Sequence, residues 1–194
     1  MNNPITEIVT AIDHCAGARN ADEQVTAFHR YFTTDASFLH PLCYVPSGKD
    51  SRKRFIGIFL FYRSVISKAT FDITSVAFNE EKGMLYVDLI QMPSFRVVSW
   101  LLWGWTPKVP MHIIFHLRKE DGKWRIDSEE DVVQPLSILK AFPPFRPWAI
   151  AWYFLCEVMG LLNAYIFMIL GIWRPEEHIH RQMKKDFKKM KNSP

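Results

Sequence analysis

The sequence predicts an α+β fold in which helices at the start of the chain cover one face of a curved antiparallel sheet. Apolar residues recur at helical spacing up to about residue 67, and from residue 70 they alternate with polar residues as they do in strands. Hydrophobic residues make up 48% of the 194 residues, with 15 phenylalanines and seven tryptophans, which excludes a disordered chain. The order of the two periodicities predicts helices first and an antiparallel meander after them.

Three helices are predicted before the change of period. The first covers Pro4 to Ala18, the second covers Ala21 to Phe32 with Asp22 as its cap, and the third runs from a cap at Asp50 or Ser51 through Ser67. Residues 33–37 are turn formers, and residues 38–47 contain two prolines. These two stretches predict a turn followed by a loop with at most one edge strand.

Two hairpins follow the third helix. Residues 70–78 and 84–92 alternate and are joined by a turn at 79–83, while 109–118 and 123–133 are joined by a charged turn at 119–122. Between the hairpins, residues 93–108 are too apolar for a solvent loop and contain Trp100, Trp103 and Trp105. This segment predicts either a membrane-touching element, a contact surface for the C-terminal helix, or aromatic residues that extend the sheet and fill the core.

The main apolar segment runs from Trp148 to Trp173 and has 22 apolar residues among its 26, with Glu157 as its charged residue. A straight helix of this length is roughly 39 Å long, enough to cross a hydrocarbon core of about 30 Å. Three interpretations remain open: a single span, a buried core or dimer helix, and a hairpin that reverses around Glu157, Gly160 and Asn163. Trp148, Trp152 and Trp173 favour a membrane interface, because indole rings settle at headgroup level.

The net charge of +4 is concentrated at the end of the chain. Residues 174–194 hold seven basic and three acidic residues, so the first 173 residues are neutral. This distribution argues against nucleic-acid binding by the main fold and favours contact between the tail and anionic lipid headgroups. The first 20 residues do not have the pattern of a secretory signal, and the three cysteines have no CxxC spacing. The expected location is the cytosolic face of a membrane, at the endoplasmic reticulum or a lipid droplet.

Four segments carry a resemblance to a known family: Tyr31 to Leu42, Phe71 to Gln91, Val109 to Arg118 and Trp124 to Pro135. With this order of elements, the chain resembles the fungal SigF-like branch of the nuclear-transport-factor-two-like, or SnoaL-like, cone superfamily. The resemblance implies a cone over residues 1–138, with a hydrophobic pocket between the helices and the sheet. A membrane-associated segment at 139–173 and a basic cytosolic tail at 174–194 are expected after it. Superfamily members include isomerases, dehydratases, cyclases and epoxide hydrolases, and others only bind or dimerise.

Candidate catalytic residues come from two neighbouring strands. His112 and His116 share the polar face of one strand, where they either line the pocket and move protons or face water. Tyr86 and Asp88 share a face of the preceding strand. By analogy with isomerase-type cones this pairing polarises a carbonyl group or abstracts a proton, but the same spacing also arises by chance in amphipathic strands. The expected catalytic set is therefore His112, Asp88 and Tyr86.

The expected ligand-binding residues are His40, Tyr62, Arg63, His116 and Asp131. His40 lies where the resemblance places the pocket mouth, Arg63 lies on the third helix, and Asp131 belongs to a run of three carboxylates that alternation lets face inward only in part. No metal or cofactor is expected.

The predicted function is binding of a sterol, terpenoid or acyl lipid that enters from the bilayer. The alternatives are an isomerase, dehydratase or hydrolase of such a ligand that uses His and Asp, and a non-enzymatic interaction protein on the membrane. The expected partners are membrane lipids, an apolar small molecule and a second copy of the chain in a homodimer.

Overall fold

The computed structural model describes residues 1–96 and 106–171. The chain forms two compact units, one over residues 1–146 and a second that begins at Pro147. The helices of the first unit are α1 (Pro4–Ala16), α2 (Ala21–Tyr31), α3 (Ser51–Val65) and α4 (Pro135–Ala141), followed by a 3₁₀ turn at Pro143–Phe145. Its strands are β1 (Phe32–His40), β2 (Cys43–Val45), β3 (Ile66–Asn79), β4 (Met84–Phe95), β5 (Val109–Glu120) and β6 (Lys123–Val132). The predicted α+β class is confirmed.

The first two helices each begin with a reciprocal cap. The Asn20 side chain accepts a hydrogen bond from the Glu23 amide at 2.8 Å, and the Glu23 carboxylate accepts one from the Arg19 amide at 3.0 Å. At the start of α1 the Asn3 side chain accepts from the Ile5 amide at 3.1 Å, and the Glu7 carboxylate accepts from the Asn3 amide at 3.0 Å. The prediction that Asp22 caps α2 is therefore wrong, because the N-cap is Asn20, two residues earlier, whose side chain accepts from the Glu23 amide.

The turn predicted at residues 33–37 is instead the middle of β1. The polar side chains that suggested a turn have partners far away in the sequence. The Arg118 guanidinium donates to Asp35 at 2.7 Å, and the Thr33 hydroxyl donates to Asp127 at 3.3 Å. These partners belong to β5 and β6, so local propensity could not reveal them.

The six strands form one sheet in the order β2-β1-β6-β5-β4-β3. The two predicted hairpins, β3–β4 and β5–β6, are antiparallel, whereas β1 lies parallel to β6. Side chains on the inner face of the sheet, including Leu85, Val87, Ile113 and Phe115, are buried against the helices. This inner face and helices α1 to α3 enclose the core.

A bulge changes the face on which the residues of β6 lie. Leu117 pairs with Ile126 and His116 pairs with Ser128, so Asp127 is an extra residue on β6. Before the bulge Ile126 points into the core, and after it Glu129 and Asp131 share that face. The bulge therefore brings two carboxylates inside. The Arg118 guanidinium lies 3.0 Å from the Asp127 carboxylate, and this ion pair stabilises the bulge.

Replacing Gly83 with alanine is expected to lower the free energy of unfolding by about 2 kcal/mol, because this residue has φ +61° and a Cβ would lie 2.5 Å from the Leu117 carbonyl oxygen. Gly122 also has positive φ, at +73°, but an added Cβ meets nothing within 4 Å. Gly122→Ala should therefore cost only about 1 kcal/mol. Denaturant unfolding of both variants tests this, and equal losses would show that backbone conformation alone decides the cost.

All but the first residue of the uninterrupted helix α5 (Arg146–Ile169) belongs to the second unit. Residues 143–169 have the length that a membrane span needs, and they contain an 18-residue window with a mean hydropathy of 1.5 in which no residue is buried. The predicted reversal around Glu157, Gly160 and Asn163 is wrong, because helical hydrogen bonding continues through all three residues. Trp148 and Trp152 lie exposed on α5. Trp100, Trp103, Trp105, Trp173 and the basic tail lie outside the described residues.

Candidate functional site

A cavity of about 420 Å³ lies between the helices and the inner face of the sheet. Its wall is mainly apolar and includes Ile8, Ile12, Phe59, Met111, Ile113 and Phe115. Cavities of several hundred Å³ that are lined in this way and carry a few polar groups are typical of small-molecule sites. The polar groups of this wall are therefore the ones that decide what the cavity does.

Two carboxyl groups from β6, those of Glu129 and Asp131, line the cavity. Burial raises the pKa of Asp131 to about 7. Burial, and secondly the nearby Asp131 carboxylate, raise the pKa of Glu129 well above its usual range. Near neutral pH this pair holds at least one proton. Asp131 Oδ1 is buried and has no hydrogen-bond partner in the described part of the chain.

A tyrosine and a glutamine form a second polar group in the wall. Gln91 Nε2 donates to the Tyr62 hydroxyl oxygen at 2.6 Å, and both side chains line the cavity. Burial raises the pKa of Tyr62 far above its usual value, so the phenol stays protonated. Because Gln91 occupies a lone pair of the hydroxyl oxygen, the hydroxyl hydrogen remains available as a donor.

His40 lines the cavity at the end of β1. Its Nδ1 accepts a hydrogen bond from the Leu42 amide at 3.1 Å, and burial lowers the pKa of its imidazole. His40 is therefore neutral at pH 7 and carries its proton on Nε2. Leu39 of β1 pairs with Glu130 of β6 in the parallel ladder. The next residue on each strand, His40 on β1 and Asp131 on β6, lines the cavity.

The expected catalytic set does not line the cavity. His112 and Asp88 do meet, with Nδ1 and Oδ1 2.6 Å apart, but this pair lies on the outer face of the sheet with side chains 65% and 47% exposed. Tyr86 and His116 lie on the same outer face. The reason is the register of β5, whose odd-numbered residues from Met111 onward supply the apolar inner wall. The pocket-lining interpretation of the two histidines is therefore wrong.

Arg63 has a structural role in place of the expected ligand contact. Its guanidinium donates to the backbone carbonyl oxygens of Ala18, Ile66 and Ser67, at 3.0, 3.1 and 3.2 Å. These bonds tie the loop between α1 and α2 to the start of β3. They hold the end of α3 beside the cavity without placing a charge in it.

Two polar residues of the wall were absent from the expected ligand-binding set. Gln91 could have been found, because it continues the alternation of the buried residues Leu85, Val87 and Leu89 on β4. Glu129 could not have been found from the sequence, because strict alternation from Ile126 places Glu129 on the outer face of the sheet. Only the bulge at Asp127 turns Glu129 toward the cavity.

Comparison with protein families shows that the model of the SigF NTF2-like domain matches residues 1–172. The expected family is confirmed, and its fungal type stays a prediction. A comparison with curated protein sequences finds no match.

Solved structures share the fold at low sequence identity. A Catenulispora acidiphila protein with a ketosteroid isomerase-like fold, in complex with trimethylamine, has a TM-score of 0.53 and 18% identity over 70% of this chain and 91% of its own. A candidate SnoaL-like polyketide cyclase from Jannaschia sp. CCS1 has a TM-score of 0.50 and 15% identity over 72% and 94%. A candidate scytalone dehydratase from Novosphingobium aromaticivorans has a TM-score of 0.50 and 10% identity over 66% and 80%.

Proposed function

The chain belongs to the SigF NTF2-like family, and from that membership we propose that it binds a hydrophobic small molecule in the cavity of its first unit. Proteins of this fold bind hydrophobic ligands or act as isomerases and dehydratases. The observation that carries the proposal is a largely apolar cavity that contains a buried, unpartnered carboxyl oxygen on Asp131. An unpaired polar atom costs free energy, which a ligand with a matching group recovers.

The polar groups limit the chemical class of the ligand. The Tyr62 hydroxyl and a protonated carboxyl of the Glu129–Asp131 pair are donors, while Asp131 Oδ1 is an acceptor. This set suits an apolar molecule with one hydroxyl or carbonyl group. Sterols and terpenoids fit this description, and so do acyl lipids. An anionic head is disfavoured, because the carboxyl pair would repel it.

Proton transfer to or from the bound ligand is a second candidate function. Because burial raises the pKa of Asp131 to about 7, both of its protonation states are populated near neutral pH. A general acid or base works best when its pKa lies close to the working pH. Asp131 therefore replaces His112 and Asp88 as the proposed acid–base residue. If the protein catalyses proton transfer, the rate depends on whether the Asp131 carboxyl is protonated.

Attachment to a membrane through α5 is the third part of the proposal. The helix is 24 residues long, and its apolar side chains from Trp148 to Ile169 are largely exposed. In water such a surface is costly, and lipid is the environment that suits it. The cytosolic face, and the endoplasmic reticulum or a lipid droplet as the compartment, remain predictions. So do a scaffold role and a homodimer.

Filling the cavity is expected to weaken ligand binding at least about tenfold, which corresponds to about 1.4 kcal/mol. Ile113 lines the cavity and the next residue, Ile114, lies on the outer face of the sheet. Ile113→Trp places the larger ring in the ligand's space, whereas Ile114→Trp leaves that space unchanged. Titration of the purified full chain with the neutral fluorophore Nile red measures both affinities in the same detergent.

The two variants differ only in the face that carries the tryptophan, so nonspecific uptake of the fluorophore by α5 is the same in both. Ile114→Trp should bind within about twofold of the parent protein. Equal affinity of the two variants, with both folded by circular dichroism, would contradict binding in the cavity.

A further inference from the structure

The mouth of the cavity has an apolar rim that faces outward. Leu42, Phe61 and Val65 line the cavity, yet their residues are 83%, 70% and 41% exposed. Single exposed apolar residues are ordinary, but three large ones around one opening form a patch that favours contact with something apolar. We call Leu42, Phe61 and Val65 the rim.

The chain passes from the cavity wall directly into its two most apolar sequences. Phe95 lines the cavity, and the Phe142 ring lies 6.1 Å from the Phe95 ring. Residues 97–105, with the sequence VVSWLLWGW, begin two positions after Phe95. The second unit begins five positions after Phe142. Both apolar segments therefore follow closely in the sequence after Phe95 and Phe142.

The charge of α3 suits an anionic lipid surface. This helix has four cations (Arg52, Lys53, Arg54 and Arg63) and no carboxylate. Asp50, the residue before the helix, pairs with Lys53 at 3.1 Å, and Arg52 and Arg63 donate to backbone carbonyl oxygens, so the helix keeps a positive net charge. Arg54, Phe61 and Val65 share one exposed helix face, because they are seven and four residues apart. An arginine beside outward aromatic and aliphatic side chains is typical of segments that lie at the headgroup level.

We propose that the rim inserts into the interfacial layer of a phospholipid membrane, so that the cavity opens toward lipid and its ligand enters from the bilayer. The proposal rests on the proposed ligand-binding function and names the source of that ligand. An opening that faced water would require an apolar ligand to cross the aqueous phase. A rim in the lipid removes that step, because the ligand then leaves one apolar environment for another.

Site-directed fluorescence on the full chain in vesicles tests the insertion. Phe61→Cys, Val65→Cys and the control Tyr86→Cys are each made with Cys43→Ser and Cys156→Ser, then labelled with the environment-sensitive fluorophore NBD. Cys15 stays, because its thiol is buried. Tyr86 matches Val65 in exposure, at 41%, but lies on the outer face of the sheet. The vesicles contain phosphatidylcholine and phosphatidylserine with brominated acyl chains.

We expect NBD at positions 61 and 65 to shift to the blue and to be quenched about twofold by the brominated lipid, since interfacial elements sit roughly 5–10 Å deep. NBD at position 86 should be unaffected. Quenching at 61 and 65 no greater than at 86 would overturn the proposal. A blue shift that rises with protein concentration and needs no vesicles would overturn it too, because a second copy would then cover the rim.

The Nile red comparison of Ile113→Trp with Ile114→Trp separates this inference from the proposed function. Nile red binding without quenching at the rim rejects insertion and leaves the ligand cavity standing. Quenching at the rim with no binding in the cavity rejects the ligand function and leaves the rim as a membrane contact.

Discussion

Asp131→Asn is expected to stabilise the protein by about 2 kcal/mol at pH 8 and to have little effect on stability near pH 4. Burial raises the folded-state pKa of Asp131 to about 7, while an unfolded aspartate has a pKa of about 3.9. Between these values the unfolded state has lost the proton that the folded state still holds, so stability falls as the pH rises. Above pH 7 the penalty is constant, at up to about 4 kcal/mol. Asparagine removes this penalty but leaves its own amide to be satisfied, which reduces the net gain.

Two other cavity groups also make stability depend on pH. His40 acts in the opposite direction, because its lowered pKa means that stability is lost as the pH falls below its unfolded value of about 6.5. Glu129 acts in the same direction as Asp131, and its pKa should fall in the variant because one of its two causes is removed. Comparing the two proteins at each pH cancels the contribution of His40 and isolates the carboxyl pair.

Urea unfolding of both proteins at pH 4 and pH 8 measures the effect. The control is Asp72→Asn, since Asp72 lies exposed on β3, and this change should stay within about 0.5 kcal/mol at both pH values. A variant that is less stable than the parent at pH 8 but not at pH 4 would show that the folded protein stabilises the Asp131 carboxylate, contrary to the structure.

The same variant distinguishes the two candidate functions of the cavity. If the protein catalyses proton transfer, Asp131→Asn should abolish exchange of the α-hydrogens of an apolar ketone for deuterium and retain Nile red binding. If the protein only binds, the parent itself shows no exchange. A parent and variant that exchange at the same rate would exclude Asp131 as the acid or base.

The periodicity of the sequence is sufficient to predict the helices and the two hairpins, because those elements depend on contacts between residues that are close in the sequence. It failed at β1, where Thr33 and Asp35 look like turn residues until Asp127 and Arg118 satisfy them from distant strands. It also could not show that β1 would pair parallel to β6. Long-range partners outweigh local propensity at these positions.

The same limit explains the errors at the candidate site. On β5 the sequence separates a polar face from an apolar face, but it does not show which one the helices cover. The need of a pocket for polar groups favours the polar face of β5 as the inner one, whereas the structure supplies these groups from β6, β1, α3 and β4. One extra residue, Asp127, turned Glu129 and Asp131 inward. A bulge leaves no mark in a pattern of alternation that is only ten residues long.

Ending the chain after Arg146 is expected to move most of the protein from the membrane fraction to the soluble fraction. The structure separates residues 1–146 as a compact unit, so the truncated chain keeps its helices, sheet and cavity. What it loses is α5, whose leucine, isoleucine, phenylalanine and valine residues each favour lipid by roughly 0.3–0.6 kcal/mol. Sedimentation of cell extracts measures the change. Nile red binding by the soluble product would show that the cavity is intact.

Point changes inside α5 separate hydrophobic insertion from loss of the chain end. Leu161→Arg with Leu162→Arg keeps the length of the helix but adds two charges, each of which costs about 2.5–3.5 kcal/mol near the centre of a bilayer. This double variant should also leave the membrane fraction, whereas Glu157→Gln, which removes a charge from the same helix, should stay. If the truncated protein still sediments with membranes, the rim or residues 97–105 must be sufficient to hold it. The rim has only three large side chains, so binding through it alone should be reversible by dilution, and binding through α5 should not.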